Sequence, residues 1–351
     1  MSVYNKEHRT SHKGHTIRKA CFSFCTDADN YLLERTDIMK KSRSLLKVSV
    51  VSIAALHGIN KVIDSLSTAE NNSKSNGKYY HWKHGSIYYR SFGEGSPLLL
   101  IHDLTVFSSS YEWSQVISSL AEHHTVYVLD LVGCGKSDKP EITYTNYFYV
   151  QMLNDFIADV IKQPVNIAAT GLSSSFVLMA NAINKNLFQK LILINPKSTS
   201  YLKQNPDKRS KILIKLFNLP VVGKTAYYIA TNKENTEYYL TETCFYNPFH
   251  VKPDITKAFY NAAHTASGSG KMLLASIDGN YLNTDITNAL KNSDNEITIV
   301  SGEHQEHNED MIMSYSNINP SVHSEIISGA KLLPQLEAPE EFSRLLLQIL
   351  N

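Results

Sequence analysis

Cysteine is scarce in this 351-residue chain. The four present, Cys21, Cys25, Cys134 and Cys244, have no regular spacing, which excludes a disulfide-stapled scaffold and suits a reducing, cytoplasmic setting. Net charge is also nearly absent, at +1. With no basic stripe interleaved with aromatics, nucleic acid is not an expected partner. Long apolar runs are missing too. Residues 45–63 come nearest, but Lys47, His57, Asn60 and Lys61 interrupt them. The unbroken part, 48–56, falls well short of the about 20 apolar residues that cross a bilayer. No dinucleotide-binding glycine loop is visible, and His12, His15, Cys21 and Cys25 lack the spacing of a closed zinc site. Neither a metal nor an organic cofactor is expected.

What is present begins with an unusual N-terminus. Residues 1–47 carry ten Lys/Arg against five Asp/Glu. Read from Met39, the stretch has the charged and then apolar order of an export signal. The other readings of 45–63 are a weak membrane anchor with snorkelling lysines and an amphipathic helix that packs on the domain or lies loose. Residues 71–77 (NNSKSNG) read as a linker. The expected organisation is therefore an extension over 1–77 and a globular domain over 78–351.

Within that domain, two aromatic-rich runs either side of His84-Gly85-Ser86 read as an antiparallel pair. Six short apolar runs follow, at 97–101, 126–131, 165–169, 191–194, 297–300 and 325–328. They do not alternate, as expected for strands buried on both faces of a parallel sheet. Helical-length segments at 111–121, 145–161, 173–184 and 339–350 complete an α/β, mostly parallel, doubly wound pattern. The stretch from about 197 to 283 breaks the rhythm. It has no convincing strand and many tyrosines, and reads as a helical cap over the C-terminal ends of the strands, where ligands bind in open α/β folds.

The strongest chemical signal is Gly171-Leu172-Ser173-Ser174-Ser175, between a buried strand and a helix. It fits G-x-S-x-G, a sharp turn that lifts a serine above the sheet, with Ser175 where glycine is usual. Ser173 is the candidate nucleophile. The Ser174 N–H, at the helix start, is a candidate oxyanion donor.

From Pro97 onward the chain resembles the α/β-hydrolase superfamily, in particular its esterase, haloperoxidase and epoxide-hydrolase-like group. Four blocks carry the likeness: Ile101-His102-Asp103-Leu104 with Tyr111-Glu112-Trp113; Asp130 to Pro140, similar to D-x-x-G-x-G-x-S-D-x-P; the serine turn; and Leu333 to Phe342. The resemblance implies the α/β-hydrolase fold with a cap. It also implies an oxyanion donor at the Leu104 N–H, a loop-holding role for His102, and a small-molecule or acyl substrate.

The departures bear on activity. The family's catalytic histidine falls at Leu332, after Lys331 instead of glycine. The acid position falls at Gln305, with Glu306 the best substitute, and the alternative acid position is Asn195. Asp103 replaces a glycine beside the oxyanion donor. A serine without an adjacent base is a weak nucleophile, so a relocated base must be sought, and His304 and His307 are the candidates. Two expectations follow: an esterase-like serine hydrolase using Ser173 with His304 or His307 and Glu306, or a non-catalytic homologue that binds a ligand or partner. Weak membrane association through 45–63 is a further expectation, and the sequence does not indicate an oligomeric state.

Overall fold

A computed structural model describes residues 55–65 and 77–351. The cysteine–histidine set at 12–25, most of the signal-like stretch from Met39 and most of the 71–77 linker lie outside the described residues.

Among the described residues, eight strands form one sheet: β1 (Lys78–Trp82), β2 (Gly85–Phe92), β3 (Ser96–Ile101), β4 (His124–Leu129), β5 (Val165–Thr170), β6 (Phe188–Ile194), β7 (Ile297–Gly302) and β8 (His323–Ile327). Their order is β1-β2-β4-β3-β5-β6-β7-β8. The first two strands are antiparallel to their neighbours, and β4 through β8 pair in parallel. The order reverses around β3, so the sheet is doubly wound, as expected. Its longer helices are α1 (Asn146–Phe156), α2 (Ser173–Ile183), α3 (Lys208–Asn218), α4 (Pro220–Ala230), α5 (Pro253–His264), α6 (Lys271–Asp278), α7 (Asn308–Ser316) and α8 (Pro339–Leu350). The segment expected to be one helix over 111–121 is instead two short turns, Ser110–Trp113 and Ile117–Leu120.

Central strands are buried along their length, β5 and β7 at every position. Because strand side chains alternate faces, each strand feeds two cores. Leu99 and Ile101 join Tyr149, Leu153 and Phe176 on one side, while Leu98 and Leu100 join Trp113, Phe342 and Leu346 on the other. This explains the apolar runs without alternation.

Between β6 and β7 the chain inserts α3 to α6 and shorter turns, with no strand. This insertion rests on loops that follow the C-terminal ends of strands. The Tyr144 N–H donates to Ser276 Oγ at 3.0 Å and the Lys139 ammonium to the Ala262 carbonyl at 3.1 Å. Phe107 stacks on Tyr239, and the Leu332 N–H reaches the Cys244 carbonyl at 3.0 Å. The end of the 45–63 stretch is also described. Residues 55–65 form a helix that docks on α4, with Asp64 bonded to Lys224 and Tyr228. Among the described residues, no helix is long and apolar enough to cross a membrane.

Candidate functional site

Strand β5 ends at Thr170 and α2 begins at Ser173. The turn between them is made by Gly171, whose φ of +58° lies in the left-handed region. A side chain there is excluded twice over. L-residues pay about 1–2 kcal/mol for that conformation, and a Cβ would overlap the Asp103 carboxyl. The Gly171 N–H continues the sheet by donating to the Ile194 carbonyl at 2.8 Å.

The residue at the strand-to-helix bend is therefore Gly171, and Ser173 stands two residues further on, inside the helix. Ser173 is 0% exposed, and its hydroxyl donates to the His102 carbonyl at 2.7 Å. The next two serines are held in the same way, Ser174 by the Ala169 carbonyl and Ser175 by the Leu172 carbonyl. The Ser174 N–H turns back to the Gly171 carbonyl. The small residues Ala169 and Ser173 flank Gly171 at two positions either side. That spacing was the available signal for the bend, and it was masked by the serine-containing frame two residues later.

Asp103 sits against this bend. Its Oδ1 accepts the Leu104 N–H at 2.7 Å and the Leu172 N–H at 2.8 Å. One amide comes from the loop after β3 and the other from the residue after the bend. These are the two places from which oxyanion donors converge in a strand-turn-helix site of this kind. Here a carboxylate oxygen of the chain occupies their meeting point.

The loop carrying Asp103 is fixed from below. His102 is fully buried; its Nε2 accepts the Leu131 N–H at 3.0 Å, so Nδ1 carries the proton and donates to the Asp103 carbonyl at 2.6 Å. Burial lowers its pKa, and the neutral ring fits its loop-holding role. Glu112, also buried, accepts the Asp103 N–H at 3.0 Å. Burial, and then the Asp103 charge, push the Glu112 carboxyl up to about 8, so it stays protonated at neutral pH. Glu112 lies within the Tyr111-Glu112-Trp113 block, where nothing in its spacing marks it as a site residue.

The base and acid candidates lie elsewhere. Glu306 is 78% exposed and 3.7 Å from the Lys331 ammonium. His307, at φ +54°, is 84% exposed and 3.7 Å from Asp310. His304 stacks on Tyr246 with ring centroids 3.4 Å apart. The structure does not bring these three together with Ser173, whose hydroxyl faces a backbone carbonyl under the bend. Leu332 is buried, with no ionisable atom to offer. Asn195, at φ +44°, bridges loops, its amide donating to the Lys331 and Leu332 carbonyls and its oxygen accepting the Gly302 N–H.

Above Asp103 the insertion contributes half-buried tyrosines, Tyr201 and Tyr239. Burial raises the Tyr201 hydroxyl, with the charges of Asp103 and Asp278 adding to it. Burial alone raises the Asp278 carboxyl to about 6. Among the described residues, no group of three or more His, Cys, Asp and Glu is placed to hold a metal ion.

Comparison with known proteins agrees with this architecture. Residues 96–221 match the family model for the alpha/beta hydrolase fold. Among curated proteins, 108 residues are 32% identical to a 2-hydroxy-6-oxo-6-(2'-aminophenyl)hexa-2,4-dienoic acid hydrolase of Metapseudomonas resinovorans, covering 30% of this chain and 37% of that one. A soluble epoxide hydrolase of Corynebacterium is 28% identical over 109 residues, 31% of this chain and 37% of its own. The chain thus spans just over a third of the length of these relatives. Among solved structures, a serine hydrolase involved in carbazole degradation superposes with a TM-score of 0.63 at 20% identity, over 78% of this chain and 98% of that one. A meta-cleavage product hydrolase from Pseudomonas fluorescens IP01 gives 0.64 at 16% identity, over 78% and 97%. At these identities the likeness is one of fold.

Proposed function

We propose that this chain, which belongs to the α/β-hydrolase superfamily, is a non-catalytic member that binds a small molecule between the sheet and a helical cap formed by the insertion. The observation that carries this reading is the Asp103 carboxylate, bonded through one oxygen to the Leu104 and Leu172 amides. Acyl transfer needs those amides free to stabilise a developing oxyanion, and a fixed anion in the same place repels it.

The residue types agree. Glycine at the bend offers no nucleophile, Leu332 accepts no proton, and the Ser173 hydroxyl is committed to a buried carbonyl. The superfamily's hydrolases keep a nucleophile, a base and two open amides. Here each has become a packing or hydrogen-bonding element of the core. A ligand meeting Asp103, Tyr201 and Asp278 would encounter acceptor oxygens and a carboxylate, so the fitting class carries N–H or O–H donors or a positive charge, not an acyl group.

The competing reading, a serine hydrolase at Ser173 with a relocated histidine, is tested by ester turnover. Short-chain nitrophenyl esters are expected to hydrolyse no faster with wild type than with Ser173→Ala, His304→Ala or His307→Ala. Turnover that needs Ser173 and one of those histidines overturns the non-catalytic assignment.

A further inference from the structure

The outer surface of the insertion has no part in the site, yet it exposes apolar side chains in an ordered way. On α3, Ile212 and Leu216 are spaced i, i+4, which places them on one helix face, and they are 56% and 42% exposed. Leu219, at the α3–α4 junction, is 49% exposed and Val222, in the first turn of α4, 39%. The two helices meet closely there, since a Cβ on Gly223 would overlap the Phe217 carbonyl.

The helix over 55–65 lies along the same part of α4, with the Asn60 amide donating to Thr225 Oγ1 at 3.1 Å and to the Val221 carbonyl at 3.4 Å. It adds Ile59 and Val62, 53% and 58% exposed. Isolated exposed apolar residues are ordinary. A group of six on three packed helices is the kind of patch that marks an interaction surface.

The charge around this patch is predominantly positive, the acidic exceptions being Asp207, which caps α3, and Asp64, which pairs with Lys224. Residues 208–233 contain six Lys/Arg and no Asp/Glu, in a chain whose net charge is only +1. Lys208, Lys211 and Lys215 are exposed on α3 with Ile212 and Leu216. An exposed helix with apolar residues flanked by lysines suits the interface of an anionic bilayer, where the apolar face enters the headgroup region and the ammonium groups meet lipid phosphates. Pairing with a second copy is opposed by the same charges. A two-fold contact is self-complementary, and it would set these lysines against one another.

We propose that the α3–α4 hairpin, with the helix over 55–65 beside it, docks the protein peripherally on an anionic lipid surface.

The test uses the full chain in vesicle co-sedimentation, with phosphatidylcholine alone or mixed with one-third phosphatidylglycerol, at low and at physiological salt. Wild type is expected to pellet with the anionic vesicles, less so at higher salt, and only weakly with the neutral ones. Lys211→Glu with Lys215→Glu should reduce the partition coefficient by about tenfold or more, each lysine near an anionic surface contributing about fivefold. Ile212→Asp with Leu216→Asp should reduce it at least as far. These side chains are exposed, and unchanged thermal unfolding of each variant verifies the fold. The proposal is overturned if wild type does not pellet, or if both double variants pellet as well as wild type, which would assign binding to residues upstream of 55. It is also overturned if the patch proves to be a dimer contact that Ile212→Asp with Leu216→Asp dissolves in the absence of lipid.

Discussion

Asp103 and Gly171 fit one another: the carboxyl of the first fills the volume that any side chain on the second would need. From that position Asp103 Oδ1 reaches the amides of Leu104 and Leu172. Hydrogen bonds to a charged acceptor contribute about 1.5–3 kcal/mol each, so the contact stabilises the bend while closing it to an acyl oxygen. Glycine at 171 and aspartate at 103 are thus one structural solution, and neither substitution makes sense without the other.

A double-mutant cycle tests that dependence. Gly171→Ala alone should destabilise the protein by about 2 kcal/mol or more, from the left-handed backbone and the overlap together. Asp103→Ala alone leaves two buried amides without their acceptor, at about 1–3 kcal/mol each. In the double variant the overlap is gone, so the combined loss in denaturant unfolding should be smaller than the sum of the two. Simple additivity would show that the two residues do not share the space.

Glu112 should make the stability depend on pH in a defined window. Its carboxyl is raised from the ordinary 4.5 to about 8 in the folded protein. Between those values the native state holds a proton that the unfolded chain has released, so this group's contribution falls as pH rises through the window and levels off above it. Glu112→Gln should remove that slope. The wild-type minus variant difference in unfolding free energy, measured from pH 5 to 9, should decline with pH. A flat difference would contradict the assignment.

Lys139 ties the insertion to the sheet. Burial pulls its ammonium down to about 8, and it donates to Ala262 in the last turn of α5, where the helix dipole favours a cation. Lys139→Met should fit the space but drop the bond. Faster amide hydrogen exchange within 253–264, with little change over β3 and β5, is the expected result, and unchanged exchange would show the bond to be dispensable.

Much of this was legible in the sequence. The parallel strands announced themselves as short apolar runs because both faces of the sheet are covered, and the strandless, tyrosine-rich insertion stood out by contrast. Leu332 and Gln305 could be found by counting from Pro334 and Gly302. The bend was harder. Ala169-Thr170-Gly171-Leu172-Ser173 and Gly171-Leu172-Ser173-Ser174-Ser175 both place small residues at the required spacing, and only backbone geometry selects the frame in which Gly171 turns. Asp103 stands out in the sequence as an acidic residue in place of glycine beside the oxyanion donor. That it turns inward, onto both amides, depends on the packing of three loops distant in sequence. The protonation of Glu112 likewise follows from burial beside Asp103, which spacing does not reveal.

On the non-catalytic reading proposed above, the serine turn carries no activated nucleophile, and covalent labelling probes that at the residue itself. Full-length wild type and Ser173→Ala are incubated with a fluorophosphonate probe, and intact mass is followed with time. No adduct that depends on Ser173 is expected, even at high probe concentration, because that hydroxyl is buried and bonded to the His102 carbonyl. Stoichiometric labelling of wild type that disappears in Ser173→Ala would contradict it.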